Sequence, residues 1–92
     1  MRALVIDDEK LARDRLLSFL RKFDTIEVVG EAGDGLAAVQ LIDEVRPDVV
    51  FLDIQMPGLT GLEVAQGIEG GTRVVFVTAY DEFAVQAFEQ QA

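Results

Sequence analysis

The sequence predicts an α/β domain on a doubly wound parallel sheet. Two observations carry that prediction. Short apolar runs alternate with helically periodic segments from end to end, and two of those runs finish in carboxylates. Strict strand–helix alternation calls for a parallel sheet with right-handed crossovers. The expected strand order is 2-1-3-4, which sets the first and third strands side by side at the centre. Asp7 and Asp8 follow "RALVI", and Asp53 follows "PDVVFL". These acidic groups at strand carboxyl ends would then meet at the switch point, where open α/β sheets bind ligands.

Each element has its own signature. Ala3 to Ile6 is a short apolar strand. Leu11 to Phe23 reads as a helix, with Ala12, Leu16, Phe19, Leu20 and Phe23 on one face and Arg13, Asp14, Arg21 and Lys22 elsewhere. Ile26 to Val29 is a weaker strand ending at Gly30, and Gly33-Asp34-Gly35 forms a turn and helix start. The second helix, Leu36 to Val45, turns Ala38, Leu41, Ile42 and Val45 inward and stops at Pro47. Asp48 to Leu52 lacks polar alternation after its first residue, as suits a strand covered on both faces. Met56-Pro57-Gly58 is a turn. Thr60 and Glu63 make a capping box for a short third helix closed by Gly70-Gly71. Val74 to Val77 is the fourth strand, and Asp81 caps a fourth helix with Ala84, Ala87 and Phe88 inward.

Composition excludes several classes of function. A chain of 92 residues holds one small core rather than two domains, and 50% hydrophobic residues argue against disorder. No apolar run approaches the roughly 18 residues of a membrane span, and Asp7-Asp8-Glu9-Lys10 interrupts the first one too early for a signal peptide. Cysteine and histidine are both absent, which removes disulfides, thiol chemistry and the usual hydrolytic triads. A cytoplasmic setting is the default expectation. A net charge of −9 disfavours direct nucleic-acid binding, since phosphate contacts need Lys and Arg. Proteins, cations or small phosphorylated molecules are the expected partners.

The carboxylates can be read in two ways. Asp53 either ends a strand as an ordinary loop residue or acts as a nucleophile that attacks phosphorus and forms an acyl phosphate. Such an attack needs a cation to neutralise the phosphoryl charge. Asp7 and Asp8 are placed to hold one with Asp53, and the Gln55 backbone carbonyl can add a ligand. An all-oxygen donor set favours Mg²⁺. Either Asp7 or Asp8 could instead cap the following helix, although two in a row exceed what capping needs. Thr78, at the end of the fourth strand, could donate its hydroxyl to a phosphoryl oxygen or simply be a β-branched strand residue. Gly30 to Gly35 spells G-x-x-G-x-G, the reverse of the dinucleotide fingerprint and after the wrong strand, and no P-loop is present.

Together, "LVIDDE", "PDVVFLDIQMPGLTG" and "VVFVTAY" resemble the receiver domain of two-component response regulators, a flavodoxin-like fold. The resemblance spans the whole chain, with Asp8 and Asp53 45 positions apart and Thr78 25 further on. It implies that Asp53 accepts a phosphoryl group from a sensor histidine kinase. It also implies that Asp7, Asp8, Asp53 and the Gln55 carbonyl bind Mg²⁺, and that Thr78 is the switch hydroxyl. "TAYDEFAVQAFE" is similar to receivers that precede a LytTR-type DNA-binding output domain, so DNA would be reached only through that domain. Receivers add a fifth strand and helix, a Lys ending strand 5 and an aromatic before it. The sequence stops at Ala92, so residues 1–92 are expected to form a C-terminally incomplete receiver whose fourth strand is an edge open to self-association. A turnover phosphotransferase or phosphatase is disfavoured because Gln55 stands two positions after Asp53, where such enzymes carry a second acid. The remaining alternative is an interaction or swapped-dimer module that is not phosphorylated.

Overall fold

The computed structural model describes residues 1–53, 64, 68 and 71–77. Six elements follow one another: β1 (Arg2–Ile6), α1 (Lys10–Leu20), β2 (Glu27–Ala32), α2 (Gly35–Val45), β3 (Val49–Leu52) and β4 (Arg73–Phe76). All strand pairs are parallel, and the sheet order is β2-β1-β3-β4. This is the doubly wound arrangement that the alternation predicts. Of the expected third helix only Val64, which is helical and buried, and Ile68 are described, and the helix from Asp81 and the Met56-Pro57-Gly58 turn lie outside the described residues. Among the described residues no helix is long and apolar enough to cross a membrane.

β1 and β3 are central, and their side chains divide by strict alternation. Ala3, Val5, Val49 and Phe51 pack with Leu16, Phe19 and Leu20 of α1 on one face. Leu4, Ile6, Val50 and Leu52 pack with Ala38 of α2 and with Val64 on the other. Both faces are therefore buried, which is why β3 carries no polar residue and β1 only the exposed Arg2 at its start. Phe51 is fully buried. Burying an aromatic side chain of this kind is worth roughly 1.5–3 kcal/mol.

Two boundaries, the ends of β2 and α1, move by more than one residue from the sequence expectation, each for a physical reason. β2 does not stop at Gly30 but runs on to Ala32. Its register against β1 slips by one between Ala3 and Leu4, so that Leu4 faces Gly30 and Val29 is the extra, bulged residue. Gly30 is there for space: a Cβ would lie 3.1 Å from Leu4 Cδ2 and 3.2 Å from Leu41 Cδ2. α1 ends at Leu20, three residues early, because Lys22 and Phe23 donate to carbonyls three residues back in tight turns. Phe23 still packs on the core, edge-on to Phe19 at 5.3 Å between ring centroids. α2 ends at Val45, as the sequence predicts. Arg46 takes a left-handed conformation (φ 53°), and its N–H closes on the Ile42 carbonyl. The start of α2 matches its motif, with the Asp34 carboxylate accepting the Ala37 N–H at 2.8 Å.

Candidate functional site

The site is built by sheet register. Ile6 pairs with Leu52, so the next residue on each central strand, Asp7 and Asp53, emerges side by side. Ladder hydrogen bonds extend one step past the strand ends to hold them there. Asp53 N–H donates to the Ile6 carbonyl at 2.9 Å, and Asp7 N–H donates to the Ala32 carbonyl at 3.1 Å. One carboxylate oxygen from each of Asp7, Asp8 and Asp53 lies within 4.8 Å of the other two. Asp7 is only 8% exposed, Asp53 is half-buried and Asp8 faces solvent.

These charges oppose one another. A pair of carboxylates about 4 Å apart repels by roughly 4 kcal/mol at an effective dielectric near 20. Burial pushes the Asp7 carboxyl above the usual carboxylate range; the Glu9 N–H counters it in part, and the Asp53 and Asp8 charges add to the rise. That N–H donates to Asp7 Oδ1 at 2.9 Å, so Asp7 also serves the turn into α1. The helix-capping alternative holds for Asp7 only in a limited form: its carboxylate takes the N–H of Glu9, which occupies the N-cap position of α1 and makes no side-chain cap bond of its own. Capping leaves the convergence with Asp53 unexplained. The donor set is entirely oxygen in a chain without His or Cys, and one member carries a burial penalty that a positive charge would offset. This set fits a hard divalent cation such as Mg²⁺, held by Asp7, Asp8 and Asp53. Gln55 and Thr78 lie outside the described residues. Val77, the residue before Thr78, donates its N–H to the Leu52 carbonyl at 2.9 Å, next to Asp53 in sequence.

Arg13 is the residue that periodicity passes over. Its charge reads as part of a solvated helix face, yet its side chain is only 16% exposed. Nη1 donates to the Asp7 carbonyl at 2.6 Å, and Nε donates to Glu31 Oε1 at 3.0 Å. Its Glu31 partner is 18 residues away on another element, so spacing along one helix gives no hint of the pairing.

A parallel doubly wound sheet with three carboxylates at its switch point defines a class of α/β domains that gather acidic groups where such sheets bind ligands. Within that class, the chain belongs to the response regulator receiver domain family, whose model matches residues 3–92. It is a receiver domain of two-component signalling, and receivers are not enzymes in the classical sense. An uncharacterized response regulatory protein of Vibrio parahaemolyticus is 51% identical over 92 residues, which cover 98% of this chain and 38% of that protein. The transcriptional regulatory protein BtsR of Escherichia coli is 44% identical over 94 residues, covering 100% of this chain and 39% of BtsR. The chain thus spans under two fifths of the length of these curated relatives. Among solved structures, the response regulator domain of Thermotoga maritima CheB superposes with a TM-score of 0.80 at 37% identity, covering 99% of this chain and 70% of that one. The receiver domain of the putative response regulator NarL from Mycobacterium tuberculosis gives 0.78 at 41%, covering 99% and 77%.

Proposed function

We propose that Asp53 is the phosphoacceptor of this receiver and takes a phosphoryl group from the phosphohistidine of a sensor histidine kinase. An Asp53 carboxylate oxygen attacks phosphorus. The new O–P bond forms as the P–N bond breaks, and the imidazole leaves with the electron pair and takes a proton from solvent. The observation that carries this reading is the convergence of Asp53 with Asp7 and Asp8 at the switch point. Mg²⁺, bound by these three carboxylates and the Gln55 carbonyl, supplies positive charge against the phosphoryl oxygens. The register of β1 on β3 presents Asp53, and the Ile6 carbonyl fixes its backbone. Thr78 is proposed as the switch hydroxyl that moves toward the phosphoryl group. Relatives named as transcriptional regulatory proteins support an output on DNA through a further domain, of LytTR type by the run "TAYDEFAVQAFE".

Intact mass after incubation with acetyl phosphate and Mg²⁺ tests this reading beside an Asp53→Asn control. A single phosphoryl adduct, absent from the control, is expected. No adduct in a sample folded by circular dichroism would overturn it. A second reading, an interaction module working without phosphate, has one observation in its favour. β4 pairs on one side only among the described residues, and Val74, Val75 and Phe76 are half-buried. Its test is the state of association in solution.

A further inference from the structure

The surroundings of the Arg13 guanidinium are specific. It sits between α1, the β1–α1 turn and the end of β2. Glu31 takes Nε, and the main-chain oxygen of Asp7 takes Nη1. Gly33 closes another side, since a Cβ there would come within 3.1 Å of Nη1. A cation beside three carboxylates would ordinarily be taken for their counter-ion. Here Nε serves Glu31 and Nη1 serves a carbonyl.

We propose that Arg13 is a positioning residue: by gripping the Asp7 carbonyl it fixes the Asp7–Asp8 peptide plane, and so the direction in which Asp8 offers its carboxylate to a divalent cation. The proposal rests on reading Asp7, Asp8 and Asp53 as a cation site. The Asp7 oxygen, the Asp8 nitrogen and the Asp8 Cα share one rigid plane. The other side of Asp7 is already tied, through its N–H, to Ala32. Asp8 is solvent-exposed, so it gains most from a fixed main chain. Glu31 holds the guanidinium at the β2 end through Nε. Arg suits this role because its planar fork serves two acceptors at once; a lysine ammonium lacks that geometry.

Charge and positioning predict opposite signs for the same substitution. By charge alone, Arg13→Ala removes a nearby positive group and tightens Mg²⁺ binding. If Arg13 positions the carboxylates, the same change weakens it, by about tenfold, as is usual when a group that orients a ligand is lost. Isothermal titration of Mg²⁺ into the wild type, Asp8→Ala, Arg13→Ala and Arg13→Lys reads this directly, with circular dichroism reporting the fold. The expected result is binding by the wild type that Asp8→Ala abolishes and that both Arg13 variants weaken. Arg13→Lys retains the charge and decides the matter if Arg13→Ala does not fold. Equal or tighter binding by a folded Arg13 variant overturns the proposal, even where its melting temperature drops. A wild type that does not bind Mg²⁺ overturns the cation site and the proposal together, which separates the two failures.

Discussion

Asp7, a residue only 8% exposed, sets its carboxyl group beside two others, and its position is set by the sheet rather than by its own preference. Burial, with those neighbours, holds its pKa above the ordinary value of 3.8. Between that value and the raised folded one, the folded chain keeps a proton that the unfolded chain has lost. Stability therefore falls as pH rises through this window, and the loss is complete above it. At neutral pH and without divalent cations, ionised Asp7 costs stability. Asp7→Asn removes that cost, and the amide oxygen can still accept the Glu9 N–H. The expected outcome in EDTA at pH 7 is a melting temperature several degrees above wild type, a kcal/mol being about 4–8 °C in a domain of this size. The gap should close as pH falls toward the ordinary carboxylate range. Thermal melts of both proteins across that range check it, and a less stable Asn variant at pH 7 would refute the sign.

The strands and helices were legible to the degree that one physical cause controlled the pattern. β1 and β3 read correctly because burial on both faces leaves no polar position, and α2 because Asp34 caps one end and Pro47 follows the other. β2 runs past Gly30, a residue that by local sequence marks a stop. Its absent side chain is needed instead where Leu4 and Leu41 crowd the strand, a contact between elements that local sequence does not display. β4 raises a question at the same scale. Among the described residues it pairs with β3 alone, and its Val74-Val75-Phe76 stretch is half-buried. An apolar strand edge is a template for another chain. Sedimentation across a wide concentration range is expected to show a concentration-dependent dimer, and a folded monomer throughout would remove the edge as a self-association site.

For the molecule as a whole, the site is a place where charge is gathered against its own repulsion. Its carboxylates were legible because each follows an apolar run, and strand order then brings the runs together. The brace on them was not, because Arg13 joins α1 to β2 through contacts that no spacing rule along one element contains. Net charge deepens the imbalance: the chain carries −9, and three acidic groups share one end of the sheet. A cation that binds only the folded arrangement must therefore stabilise the whole domain. At a hundredfold excess over its dissociation constant the gain is about 2.7 kcal/mol, or roughly 10–20 °C in melting temperature. Asp8→Ala removes a ligand and a repelling charge at once, which separates the two contributions. In EDTA the variant should melt no lower than wild type. On adding Mg²⁺ the wild-type midpoint should climb while the variant's stays put. Midpoints that do not move in either protein would leave the three carboxylates without a cation to hold, and Asp53 without the partner that the proposed phosphoryl transfer requires.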